Sequence, residues 1–180
     1  MIRSLGWITR RTMSVMMWGL FLIMYLIGRL SDSREMLVHT LRFPARLAYR
    51  LGKLAYAEQR ALELLRRAEP MRGPADFGYG NAIHQGHLIL GSIALARGDR
   101  PEAARQLVAA AVTPGSPHLA TLGPGMGLAR DLLGCGERSA VLSYLTLCQP
   151  LWPPGRDLLE YWSWEIRQGR TPDFGDNLGY

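Results

Sequence analysis

The chain has 180 residues, of which 48% are hydrophobic and 20% charged, so it is long enough for one packed domain and too short for a multidomain enzyme. The apolar fraction is that of globular proteins, which excludes both a disordered tail and a polytopic membrane protein. Two cysteines cannot build the disulfide framework of a small secreted scaffold, so folding must come from packing.

Positive charge is concentrated in the N-terminal part of the chain. The formal net charge is +6, but residues 1–72 hold 13 of the 21 Lys and Arg and 5 of the 15 Asp and Glu, which gives this part +8 and leaves −2 for residues 73–180. Because the distribution of charge matters more than its sum, the high pI alone does not indicate a nucleic-acid-binding domain.

An uncharged apolar segment at residues 12–28, TMSVMMWGLFLIMYLIG, comes first. As a helix it would rise about 25 Å, the low end of what a ~30 Å hydrocarbon core requires, and Arg10, Arg11 and Arg29 flank it at headgroup level. We therefore predict a single transmembrane helix within residues 1–33 and a single-pass location, in a bacterial inner membrane. The alternatives are a cleaved signal peptide, with a weak processing site at residues 31–33, and a buried core helix.

A series of cations follows at spacings of four, four and three residues: Arg42, Arg46, Arg50 and Lys53. This spacing predicts one basic stripe along a helix, which is either an ordinary solvated face or a contact with anionic lipid headgroups, where each cation contributes about 1 kcal/mol. No aromatic residues interleave with it as single-strand binding requires, so no nucleic acid is expected as a partner. The predicted membrane-interface residues are Arg10, Arg11, Arg29, Arg42, Arg46, Arg50 and Lys53.

Helical periodicity extends over residues 34–168 without an alternating strand-like stretch, which predicts an all-α fold. Residues 34–72 form basic juxtamembrane helices, and a possible degenerate repeat, with two apolar stripes: Leu47, Leu51, Leu54 and Ala55, then Ala61, Leu62, Leu65 and Ala68. A loop at 72–76 precedes predicted helices at 81–97 and 101–111, which are closed by Gly98-Asp99 and by the Pro-Gly-rich stretch 114–117.

Seven small or apolar positions recur with an offset of 38 residues: Leu90, Gly91, Ala94, Gly98, Ala103, Leu107 and Ala110 recur as Leu128, Ala129, Leu132, Gly136, Val141, Leu145 and Cys148. With turns at Gly98-Asp99 and Gly136-Glu137, the pattern resembles the tetratricopeptide repeat (TPR), a helix-turn-helix unit of about 34 residues. It departs from that family where His87 and Ala94 replace the usual aromatic residues, and in a longer loop between units. The chain is also similar to a group of small bacterial repeat proteins.

The resemblance implies a short α-solenoid over residues 73–168, with residues 156–168 as a capping helix and 169–180 as a tail. By analogy with the family, the first helix of each unit lines a concave face, which predicts partner-binding residues Gln85, Leu88, Ser92, Leu95, Met126, Arg130 and Leu133. Such a groove holds an extended peptide or a partner helix. On the last helix, Leu158, Leu159, Trp162 and Ile166 share the predicted inner face.

Tyr161 and Trp164 point away from that inner face. They are either the edge of the core or an exposed pair that anchors a partner or contacts a membrane interface, and we include them among the predicted partner-binding residues.

Sequence features that could carry chemistry are weak. His84 and His87 lie three residues apart on one helix, but no third metal ligand is evident. Cys135 and Cys148 are too far apart along the predicted hairpin for a disulfide, and no strand or Lys-Ser/Thr accompanies the Gly-rich stretch 122–127 as a phosphate-binding loop requires. We predict no catalytic, cofactor-binding or metal-binding residue, no cofactor, and a protein that is not an enzyme.

The predicted function is therefore a membrane-anchored scaffold for protein-protein interaction, an accessory or assembly subunit of a larger membrane complex. Its predicted partners are other subunits of that complex, or a partner peptide or helix, and a lipid bilayer with anionic headgroups. The alternative is a periplasmic TPR-like protein, released by cleavage of its signal, that binds a peptide or an envelope component.

Overall fold

The computed structural model describes residues 34–71 and 77–178 of the chain. Within these residues it contains no β-strand, which confirms the all-α fold class. The α-helices are α1 (Arg34–Arg50), α2 (Leu54–Ala68), α3 (Phe77–Ala96), α4 (Arg100–Ala111), α5 (Pro117–Leu122), α6 (Gly127–Gly134), α7 (Arg138–Cys148) and α8 (Arg156–Arg167). Short 3₁₀ segments lie at Glu69–Met71, Pro153–Gly155 and Gly175–Leu178.

Six of these helices pair as hairpins: α1 with α2, α3 with α4, and α6 with α7. Two residues after the first helix of each pair lies a glycine with positive φ, 70° at Gly52, 84° at Gly98 and 87° at Gly136. Glycine adopts this left-handed conformation without the steric cost of a Cβ, so it ends the helix and reverses the chain within two residues.

The turns of the second and third hairpins share a backbone hydrogen bond, and the first hairpin has its counterpart, Lys53 N–H to Ala48 O at 2.9 Å. Asp99 N–H donates to Ala94 O at 2.9 Å, and 38 residues later Glu137 N–H donates to Leu132 O at 3.0 Å. The offset found in the sequence therefore corresponds to a repeated helical hairpin. That the hairpin is a tetratricopeptide repeat stays a prediction.

Helix α3 lies at the centre of the fold, in contact with α1, α2, α4 and α6. It is buried on nearly every side, and two of its glycines give neighbouring helices room. A Cβ at Gly86 would lie 2.6 Å from Leu65 Cδ2, and one at Gly91 would lie 2.4 Å from Leu128 Cδ2. Since real Cβ contacts are never this short, α2 and α6 approach α3 only because these positions have no side chain.

The largest core cluster joins side chains of α3, α4, α6, α7 and α8, and two smaller clusters lie between α1, α2 and α3. The capping helix α8 contributes Leu159, Trp162 and Ile166 to the core, as its periodicity predicts. The prediction that Leu158 shares this face is wrong, because its side chain is 40% exposed.

In the first hairpin the predicted apolar stripes are wrong in part. Because α1 ends at Arg50 and the chain turns at Gly52, Leu51 and Ala55 are exposed, and Lys53 lies in the turn rather than on the helical stripe. Leu62 is also exposed. The buried face of α2 consists of Ala57, Ala61, Leu64 and Ala68.

The predicted single-pass membrane location is contradicted. No helix within 34–71 and 77–178 has both the length and the apolar character needed to cross a bilayer. The segment from which the location was predicted, residues 12–28, lies outside the described residues together with Arg10, Arg11 and Arg29, and so does the loop at 72–76.

Candidate partner-binding groove

A groove opens where the first helices of the three hairpins come together. It encloses a cavity of about 170 Å³, and α3 forms its middle because it contacts both α1 and α6. The lining residues are Arg46, Tyr49 and Arg50 from α1; Gln85, Leu88, Ile89 and Ser92 from α3; Gly127, Leu128 and Asp131 from α6; and Leu178 from the last 3₁₀ segment.

Helical spacing explains why each helix presents several residues to the groove. Gln85, Leu88, Ile89 and Ser92 follow one another by three, one and three residues, which places them on one face of α3. Arg46 and Arg50 are four residues apart on α1. The cavity is smaller than the ~300 Å³ of typical small-molecule sites, so its size suits side chains of a docked polypeptide better than a cofactor.

Charge is distributed unevenly across the groove. On the α1 side, burial lowers the pKa of Arg46, and the neighbouring charges of Arg50 and Arg42 lower it further. On the α6 side lies Asp131, whose carboxylate forms an ion pair with Arg130 at 2.9 Å. Burial raises the pKa of Tyr49, and the charge of Asp131 raises it further. Asp131 on α6 thus interacts electrostatically with a side chain of α1 across the groove.

The stretch 123–126 that leads into α6 is buried although it is not helical. Its Gly125 peptide is held on both sides. The amide N–H donates to His84 Nε2 at 3.1 Å, and the carbonyl accepts from the Tyr144 hydroxyl at 2.8 Å. His84 Nδ1 lies 2.9 Å from Ala110 O, which can only accept, so the imidazole is the neutral Nδ1–H tautomer. Burial lowers the pKa of His84 to about 4.

The C-terminal segment also binds this stretch, whereas the sequence predicted a tail at 169–180. Asn177 Nδ2 donates to Leu122 O at 3.1 Å and to Pro124 O at 3.0 Å. In return, Met126 N–H donates to the carbonyl of Asn177 at 2.8 Å. These bonds place the next residue, Leu178, in the wall of the groove.

Of the predicted partner-binding residues of α3, Gln85, Leu88 and Ser92 line the groove, and their binding of a partner stays a prediction. Others lie elsewhere: Met126 and Leu133 are buried in the core, and Leu95 packs against it. Arg130 is exposed next to Asp131 but does not line the cavity.

Sequence reasoning missed six groove residues: Tyr49, Ile89, Gly127, Leu128, Asp131 and Leu178. The spacing of Tyr49 between Arg46 and Arg50 was a usable signal. The position of Leu178 depends on tertiary hydrogen bonds and carried none.

Tyr161 and Trp164 are exposed, and the prediction that they bind a partner stays a prediction. Their side chains are 53% and 50% exposed, and the two rings stack with centroids 6.1 Å apart. Arg170 covers Trp164, with its guanidinium carbon 4.7 Å from the ring centroid, and pairs with Glu165 at 2.6 Å. This aromatic surface does not line the groove.

Groups that could carry chemistry are used in packing. His84 is enclosed as described, and His87 Nδ1 lies 2.7 Å from Gln106 Oε1. Burial raises the pKa of the Cys148 thiol, which disfavours the reactive thiolate. Within 34–71 and 77–178 no three His, Cys, Asp or Glu side chains come together as metal ligands. In the glycine-rich stretch the Gly125 and Met126 amides already donate hydrogen bonds to His84 and Asn177, so they cannot bind a phosphate.

Comparison of the chain with protein-family models, with curated proteins and with solved structures gives no match. No family is identified by these comparisons, and the resemblance to the tetratricopeptide repeat stays a prediction from the residues of the chain.

Proposed function

We propose that this chain is a scaffold for protein-protein interaction, and that the groove on the first helices binds a segment of a partner polypeptide. The observation that carries the proposal is the convergence of α1, α3 and α6 on one open cavity. Stacked helical hairpins leave this kind of concave surface, and extended peptides or helices are its usual occupants. An accessory or assembly role in a larger complex follows from such binding.

The composition of the groove supports a polypeptide as its occupant. Apolar side chains from Leu88, Ile89 and Leu178 lie beside the polar groups of Gln85 and Ser92. Partner segments bind such surfaces by burying apolar side chains while polar groups fix their register.

Site-specific crosslinking in cells tests the proposal. A photoreactive benzoylphenylalanine at Ser92, which lines the groove, is expected to form an adduct with a discrete partner polypeptide. The same residue at Gln59, an exposed position on α2, serves as the matched control and is expected to form none. Adducts of equal yield at both positions, or none at either, would contradict the proposal.

A second variant fills the groove without disturbing the fold. At Gly127 a Cβ meets only Leu178 O at 3.9 Å, an ordinary contact, so Gly127→Leu extends a side chain into the cavity. Gly134→Leu, at the other end of α6, meets nothing within 4 Å and leaves the groove open. We expect the Ser92 adduct to disappear in Gly127→Leu and to persist in Gly134→Leu, with both variants folded by circular dichroism.

A further inference from the structure

We infer that the partner segment places an acidic side chain, Asp or Glu, against Arg46 and Arg50 on the α1 side of the groove. This inference rests on the proposed function and specifies the chemistry of its ligand. The two arginines lie four residues apart on one face of α1, and both line the cavity. A carboxylate between them would accept charge-assisted hydrogen bonds from planar guanidinium groups, whose geometry suits it.

The electrostatics of α1 favour an anion at this place. Arg46 lies between Arg42 and Arg50 along the helix; burial lowers its pKa most, and the charges of Arg50 and Arg42 lower it further. The same part of α1 is half-buried at Arg46, where solvent screens charge less than at a free surface.

Asp131 decides which class of anion fits. Its carboxylate lines the cavity on the α6 side, so a nucleic acid or a lipid surface, with anionic groups along its whole extent, would bring negative charge against it. A polypeptide can present one carboxylate to α1 and a neutral or basic group to Asp131. The recessed position between α1, α3 and α6 likewise favours a flexible segment over a flat bilayer.

The amide of Gln85 adds a donor on the floor of the groove. Gln85 is 4% exposed and lines the cavity together with Arg46 and Arg50. A carboxylate accepts hydrogen bonds from a side-chain amide. Gln85 of α3 therefore gives an acidic side chain a neutral donor in addition to the positive charges of α1.

Selection from displayed peptides tests the inference. A library of random peptides is selected on the immobilised full chain, and binders are kept that bind Gly134→Leu but not Gly127→Leu, since these occupy the groove. We expect the retained peptides to be enriched in Asp and Glu. The best binder is then synthesised together with its analogue in which the acid is replaced by the corresponding amide.

Affinities of the two synthetic peptides form a double-mutant cycle with Arg50→Gln. The acidic peptide is expected to bind Arg50→Gln about tenfold more weakly than the native chain, and the amide analogue to bind both equally. Arg66→Gln on α2, exposed and outside the groove, is the matched control and should change neither affinity. Asp131→Asn is expected to strengthen binding of the acidic peptide, because it removes a like charge.

Different results would contradict the acidic side chain and the peptide-binding groove. Groove-bound peptides without acids, or an acidic peptide indifferent to Arg46→Gln and Arg50→Gln, would overturn the inference and leave the proposed function intact. Vesicles of phosphatidylglycerol that bind through Arg46 and Arg50, with no preference among peptides for acids, would also overturn it. Failure to recover any peptide sensitive to Gly127→Leu would overturn the proposed function, and this inference with it.

Discussion

The second and third hairpins occupy equivalent positions in the repeat but differ in the structure of their first helix. In the second, α3 runs without interruption from Phe77 to Ala96. Thirty-eight residues later the chain forms α5, Pro117–Leu122, then the non-helical stretch 123–126, and then α6, Gly127–Gly134. A long helix is thus matched by two short ones with a break between them.

The difference shows what a buried break in a helix requires. Within α3 the backbone satisfies its own hydrogen bonds, so neighbouring helices need supply only shape. In the stretch 123–126 the polar groups of the peptide backbone are buried without that support, and side chains from three distant elements bind them: His84, Tyr144 and Asn177. Leaving such a group without a partner costs about 1–3 kcal/mol, so these side chains hold the break in place.

The break also shapes the groove. Because α6 starts only at Gly127, a residue without a side chain lies at the cavity, and Asn177 brings Leu178 to the wall beside it. Asn177 therefore both satisfies the buried stretch and places Leu178 in the wall of the groove. Perturbing the loop tests both.

A fall in pH is expected to give the largest loss of stability, through the buried His84 that holds the break. The folded state lowers the pKa of His84 from 6.5 to about 4, chiefly through burial, with smaller contributions from the charges of His118 and His87. The folded state favours the neutral imidazole, so the unfolded chain binds a proton first as the pH falls. The stability due to His84 is complete above pH 6.5 and is lost between there and pH 4, about 3 kcal/mol in total. Urea unfolding across this range measures the loss.

A glutamine at position 84 provides the control. His84→Gln keeps a donor and an acceptor but does not titrate, so its stability should fall less steeply between pH 6.5 and 4 than that of the native chain. The difference between the two stability curves gives the contribution of His84 alone. Carboxylates contribute equally to both curves: hydrogen bonds lower the pKa values of Glu58, Glu102 and Glu165, so their stabilising contribution is lost at still lower pH. Parallel curves would show that the imidazole does not hold Gly125.

Removal of the Asn177 amide is expected to give the next effect. In Asn177→Ala the carbonyls of Leu122 and Pro124 lose their donor, and since the Pro124 site is buried, the free energy of unfolding should fall by about 2–3 kcal/mol. Hydrogen exchange at the Met126 amide, which donates to Asn177 O, should accelerate. The exposed Asp176→Asn, one residue earlier, is the matched control and should leave both measurements unchanged.

How far the sequence predicts this fold depends on how local the determinant is. Gly98 and Gly136 are local signals, since each ends a helix through its own backbone freedom, and the turns they predict are the turns observed. The inner face of α8 is also local, and Leu159, Trp162 and Ile166 are buried as their spacing predicts. The predicted stripe that includes Leu51 is wrong because the chain turns at Gly52, and Leu62 is exposed because the buried face of α2 runs through Ala57, Ala61, Leu64 and Ala68.

The groove could be predicted only where it follows helical spacing. Gln85, Leu88 and Ser92 share a face of α3 and were placed correctly, because α3 is an uninterrupted helix. Met126 was expected on the same surface but is buried, because it belongs to the broken stretch that Asn177 and His84 hold inside the fold. Contacts between residues about 50 positions apart leave no periodic signal in a single sequence.

The uninterrupted helix should be sensitive to shape rather than to hydrogen bonding. Gly91→Leu places a side chain against Leu128 Cδ2 of α6, with Gln106 Cβ and Ala103 O of α4 at 3.1 and 3.3 Å from the site of a Cβ, so these neighbours must shift. Overpacking of this kind should lower the free energy of unfolding by about 2 kcal/mol. Gly134→Leu, which has nothing within 4 Å, is the control for the same substitution. An unchanged melting temperature for Gly91→Leu would contradict the close packing of α3 against these neighbours.

Loss of a single donor to the break should give the smallest effect. Tyr144→Phe leaves the ring that stacks near His84 but removes the hydroxyl that donates to Gly125 O. The expected loss is about 1 kcal/mol, because one buried carbonyl is left without this partner while the shape of the core is retained. Tyr56→Phe, at an exposed position on α2, controls for the substitution. Combined with His84→Gln, Tyr144→Phe should be non-additive in urea unfolding, since both side chains bind the same peptide group. Additive losses would mean that the Gly125 peptide is held in place by its chain neighbours, and that the break, like α3, sustains itself.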